Sequence, residues 1–190
     1  MLSAWPVNTL DPQREVRQAR DALATADTVA NRTRLADALE VAGQYREAVT
    51  EYRGVMIRPG GSDDKIRFKL AKALYGAGDG REALAELDEL APAYGMGEQT
   101  KRDLLKAQAL ELLGQKGEAT QIYEDVIERD ANLEARCRYA ALLVADGEDL
   151  KAREHLREVE RVTRDWDFVQ MGDDRPMLEW ARKELQRIGG

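Results

Sequence analysis

The chain has 190 residues, 34% of them charged and 43% hydrophobic, and a formal net charge of −7. That acidic balance disfavours nucleic acid as a partner, because neutralising phosphates needs a dense excess of Lys and Arg. The mean hydropathy of −0.58, the lack of an apolar run longer than Tyr139–Ala145, and a single cysteine and single histidine argue against a membrane span, a disulfide framework and most metal or nucleophile–base sites.

Residues 1–10 carry Leu2, Trp5 and Val7 without periodicity and read as a flexible tail, with neither the charged nor the apolar region of a secretory leader. A helix is expected over 11–26. Asp11 suits its N-cap, Pro12 its first position, and Ala19 with Leu23 forms a small–large pair one turn apart.

From residue 29 the sequence repeats. AGQYREAVTEY aligns with GAGDGREALAEL, LGQKGEATQIY and DGEDLKAREHL. The aligned glycines are Gly43, Gly78, Gly114 and Gly147, spaced 35, 36 and 33 residues apart. Five residues after each comes an alanine (Ala48, Ala83, Ala119, Ala152), and four later a large residue (Tyr52, Leu87, Tyr123, Leu156). Apolar stripes at helical spacing flank every glycine, such as Leu35, Ala36 and Leu39 before Gly43, and Ala48, Tyr52 and Val55 after it. Each repeat therefore reads as two helices joined at a glycine that accepts a left-handed backbone. The alanine allows the two helix axes to approach closely. The repeats span about 29–62, 63–97, 98–131 and 132–164. A pair exposes an apolar side when alone, so pairs must stack.

Residues 165–172 read as a loop. Asp173 and Asp174 before Pro176 signal a last helix over 174–188. Its expected apolar stripe is Met177, Ala181, Leu185 and Ile188, with Trp180 beside it, and its polar remainder suits a cap.

These small and large positions resemble the tetratricopeptide repeat (TPR) family, whose period is about 34 residues. The resemblance covers residues 29–164. It implies an all-α fold, a right-handed α-solenoid of antiparallel helix pairs: about four repeats, an extra N-terminal helix and a C-terminal capping helix, in a single domain over 11–190. Two features depart from the family pattern. Arg32, Arg67, Asp103 and Arg136 replace the aromatic residue early in each first helix, and Lys106 stands where Leu35, Leu70 and Tyr139 stand elsewhere. The chain also resembles the soluble part of bacterial TPR proteins that carry an N-terminal membrane hairpin.

In TPR proteins the first helices line a concave groove that holds a peptide. The resemblance carries that role onto Arg34; Lys65, Phe68, Lys69, Lys72 and Tyr75; Lys101 and Gln108; and Arg138. Lys65, Lys69 and Lys72 share one helical face, with Phe68 and Tyr75 near it. This makes a cationic, partly aromatic strip suited to an acidic segment. The competing reading is a solvated face whose lysines pair with acids of the next repeat. The carboxylate clamp of chaperone adaptors is incomplete. Its positions hold Thr33, Asp37 and Lys69; Lys101 matches; Leu105 replaces the arginine.

No catalytic set emerges. Gly76, Gly78 and Gly80 follow a helix rather than a strand, so they do not form a nucleotide loop. The pair Asp63 and Asp64 stands at a helix start, where carboxylates are favoured by the dipole. Cys137 reads as a small packing residue. The expectation is a non-enzymatic protein-binding scaffold without cofactor or metal, cytoplasmic or on the cytoplasmic face of a membrane. The alternative is a self-associating or membrane-tethered assembly factor acting through its C-terminal helix or N-terminal segment.

Overall fold

The computed structural model describes residues 11–93, 95–166 and 172–189. The tail expected over 1–10, and most of the loop expected over 165–172, lie outside them. Among the described residues there are ten α-helices and no strand. They divide into two compact units, with the boundary after Ala93.

The first unit holds α1 (Pro12–Thr25), α2 (Val29–Val41), α3 (Tyr45–Met56), α4 (Asp64–Ala77) and α5 (Gly80–Asp88), each packed on the next. The second holds α6 (Met96–Leu112), α7 (Lys116–Asp130), α8 (Leu133–Ala145) and α9 (Asp149–Thr163), again packed in succession. A short 3₁₀ turn, Gly172–Asp174, then leads into α10 (Arg175–Ile188), which packs on α9 and α8.

The turn inside each pair is one motif used four times. Gly43 takes φ +73°, its amide donates to the Glu40 carbonyl, and the Gln44 amide reaches back to the Leu39 carbonyl at 2.8 Å. The same reach-back joins Asp79 to Leu74, Gln115 to Leu110 and Glu148 to Leu143. Orphan carbonyls at the end of the first helix are thereby satisfied while the chain reverses. First helices start differently. Thr28, Asp63 and Asn132 accept the amides of Asn31, Ile66 and Ala135 at 3.1, 2.8 and 3.0 Å, each satisfying an orphan donor.

Packing follows the repeat. Ala48, Ala83, Ala119 and Ala152 are fully buried, as are Tyr52 and Tyr123 one turn later. The apolar face of α1 differs from expectation. Val16 and Ala19 are buried, whereas Leu23 is half-buried; α1 packs chiefly on α2, and its Arg20 reaches Glu47 of α3 at 2.6 Å. The stripe of α10 is also turned. Leu178, Ala181 and Ile188 are buried; Met177, Trp180 and Leu185 are half-buried. One residue is about 100° of helix rotation, and the docking of α10 sets that rotation. Arg182 donates to the Thr163 carbonyl at 2.8 Å and Arg153 donates to the Ile188 carbonyl. The guanidinium groups thus meet the carbonyl ends of α9 and α10, where cations are favoured.

The residues replacing the expected aromatic have a structural role. Arg32 pairs with Glu51 at 2.5 Å and Arg67 with Glu86 at 2.7 Å, each bridging the two helices of one repeat. Gly54 makes room for the first pair, since a Cβ there would lie 3.1 Å from the Arg32 side chain. In the third repeat the polarity reverses, with Asp103 taking Arg129 at 2.7 Å. Lys106 is half-buried where its counterparts are buried.

Candidate functional site

In the first unit, α2 and α4 present the residues expected to bind a partner. Lys69 Nζ donates to both oxygens of Asp37, at 2.7 and 2.8 Å. Lys72 Nζ lies 2.7 Å from Glu40 Oε1. The same two carboxylates meet Tyr52 from α3. Its hydroxyl lies 2.6 Å from Asp37 Oδ1 and 3.1 Å from Glu40 Oε2. Burial, and then the neighbouring carboxylates, push the Tyr52 phenol well above its usual range. It therefore stays protonated and donates. Arg34 lies 3.7 Å from Glu15 of α1.

The competing reading of the lysines thus holds for Lys69 and Lys72, with one correction. Their acids belong to the preceding repeat, because α2 is the first helix that stands beside α4 within this unit. The cationic strip is largely neutralised. What remains open is Lys65, which is exposed and makes no ion pair among the described residues, with Phe68 and Tyr75 half-buried on the same helix.

The second unit repeats the scheme with other side chains. Tyr123 of α7 donates to Glu111 of α6. Its phenol too is pushed up by burial first and Glu111 second. Gln108 donates to Glu134 Oε1 at 2.7 Å, and Arg138 Nε reaches the same oxygen at 2.9 Å while lying 4.0 Å from Glu111. Gln108 and Arg138 are therefore brought together, whereas Lys101 stands exposed without an ion pair among the described residues.

The carboxylates that organise both faces are Asp37, Glu40, Glu111 and Glu134; the sequence places all four on first helices but does not say which base or tyrosine each one meets. A signal for them existed. Glu40 and Glu111 each precede a buried tyrosine, Tyr52 or Tyr123, by twelve residues.

Cys137 is buried, and burial, then Asp174 and Glu134, push its thiol up to about 12. A thiolate nucleophile needs the opposite surroundings. No group of three or more His, Cys, Asp or Glu among the described residues could hold a metal ion. No described helix is long and apolar enough to cross a membrane. Open hollows among the described residues include one of about 340 Å³ beside Gly43–Glu47 and one of about 350 Å³ beside Gly147–Lys151, both at helix-pair turns.

Solved structures with a similar fold include two at low sequence identity. The MamA RS-1 ArsTM double mutant superposes with a TM-score of 0.66 at 18% identity, over 82% of this chain and 87% of its own. TTC0263, described as a thermophilic TPR protein in Thermus thermophilus, gives a TM-score of 0.64 at 17% identity, over 92% and 91%. The fold is a TPR-like α-solenoid of helix pairs. No protein-family model matches the sequence, and comparison with curated proteins finds no match. At these identities the likeness extends to the fold. In the first two repeats the two helices of a pair are joined by Arg32–Glu51 and Arg67–Glu86 bridges, and in the third by Asp103–Arg129.

Proposed function

We propose that this TPR-like chain is a non-enzymatic scaffold that binds a protein segment on the first-helix face of its first unit. The observation that carries the reading is on α4, where Lys65, without an ion pair among the described residues, stands about one turn from the half-buried Phe68, with the half-buried Tyr75 two turns further along the same helix. Rings that are partly covered give apolar contact without an ordering cost for flexible side chains, and a neighbouring cation supplies orientation. The segment that fits carries apolar side chains and a carboxylate placed for Lys65. Lys69 and Lys72 serve the scaffold first, through Asp37 and Glu40, and contribute to binding by sharing those charges.

The test is affinity capture with mass spectrometry, using the wild type beside Lys65→Glu/Phe68→Ala. Reversing Lys69 or Lys72 would set like charges against Asp37 and Glu40 and confound binding with folding. A protein captured by the wild type and lost from a variant of equal helicity supports the reading. Equal capture of every partner by both proteins moves the site off this face.

A further inference from the structure

The fourth repeat breaks the rule that holds the first two together. Position for position, Arg32 with Glu51 and Arg67 with Glu86 correspond to Arg136 with His155. An acid that stabilises the arginine is replaced by the only histidine in the chain. The imidazole is half-buried, with its ring against α8. Its Nδ1 is buried with no hydrogen-bond partner, and its ring centroid lies 4.8 Å from that of Tyr139 on α8. Tyr139 is itself fixed, since its hydroxyl donates to Glu124 of α7 at 2.5 Å.

We infer that His155 is an acid-sensitive release built into the α8–α9 pair. Neutral imidazole suits this position, since Nδ1 then carries a lone pair and needs no acceptor. A proton on Nδ1 would need one, and a buried N–H without a partner is costly. The charge it brings would also face Arg136 where the first two repeats place a glutamate. The groups acting on the ring are Arg136 and Tyr139 from α8, Glu124 from α7, and Glu154 from α9 itself. The basic residues of α10 reach α9 elsewhere, at the Thr163 carbonyl and at Asp149. Burial, then Arg136, hold His155 below the usual histidine range, against the smaller opposing pull of Glu154 and Glu124.

The sign follows from linkage. The unfolded chain takes up the proton near pH 6.5, while the folded chain resists it to a lower pH. Stability is full above pH 6.5, falls as the pH drops towards the folded value, and is level below it. Because α10 leans on α9 and α8, loosening that pair also loosens the C-terminal helix.

The full-length chain supplies its own probe, since one histidine gives one imidazole signal. Its NMR titration is recorded from pH 8 to pH 4.5, and amide exchange in α8, α9 and α10 is followed over the same range. The expected midpoint lies below 6.5. Protection in these helices should fall by the factor that the midpoint sets, tenfold for each pH unit of depression. His155→Gln keeps a neutral group and should flatten that window. His155→Glu restores the pairing of the first two repeats and should flatten it too, with higher protection at pH 7. Arg136→Gln should move the midpoint up. A midpoint at or above 6.5, or the same acid loss of protection in His155→Gln, would overturn the inference.

Discussion

Removing the hydroxyl of Tyr52 tests the coupling between the core and the candidate face. Tyr52→Phe keeps the ring in a fully buried site and deletes the donor shared by Asp37, at 2.6 Å, and Glu40, at 3.1 Å. A hydrogen bond to a charged acceptor contributes about 1.5–3 kcal/mol. Asp37 is 44% exposed and its lysine stays in place, so water recovers part of the loss and the lower end applies. The expected cost is about 1.5 kcal/mol, or roughly a tenfold larger unfolding constant. Urea denaturation followed by circular dichroism measures it, with amide exchange in α2 and α3 locating the loss in the first unit. Asp37→Asn, made in the wild type and in Tyr52→Phe, completes a double-mutant cycle with an expected coupling of about 1 kcal/mol. Tyr123→Phe is the parallel in the second unit, where the hydroxyl meets Glu111. A Tyr52→Phe protein as stable as the wild type, with no coupling to Asp37, would refute the reasoning, because solvent would then serve both carboxylates equally well.

Four further outcomes are expected. Gly61→Ala should cost about 2 kcal/mol or more by overpacking, since a Cβ at this buried residue collides with the Val55 carbonyl oxygen. Gly117→Ala, which meets nothing within 4 Å inside α7, should instead stabilise by about 0.5–1 kcal/mol in the same denaturation assay. Cys137, the only thiol, should resist a disulfide reagent in the native chain at pH 7 and react with one equivalent in urea, because burial first and then nearby carboxylates hold it at about 12. Asp27 is held below the usual carboxylate range, chiefly by its hydrogen bond from Arg32 and also by Arg58. Its stabilising contribution is present above about pH 4 and lost as the pH falls through its lowered folded value. Acid titration of Asp27→Asn should therefore lack the component that the wild type shows there.

Much of this protein is legible in its sequence because its regularities are local. The glycine at each intra-pair turn, the alanine five residues on and the large residue one turn later act within a single helix pair. Period alone places Gly43, Ala48 and Tyr52, and their counterparts, before any coordinate is known. First-helix starts at Thr28, Asp63 and Asn132 are local as well, since a cap reaches only three residues.

The tertiary structure decided which charges meet. Lys69 and Asp37 are 32 residues apart, and Arg32 and Glu51 are 19 apart. Each pair forms only when two helices stack with a given rotation, and one residue of rotation turns a side chain by about 100°. That same rotation buries Leu178 rather than Met177 in α10 and seats His155 opposite the helix of Arg136. Residue types along the chain named the charges on each face; the packing of alanines against large side chains chose their partners. The face read from sequence as cationic is therefore, in the folded protein, a set of matched charges with Lys65 left open about one turn from Phe68.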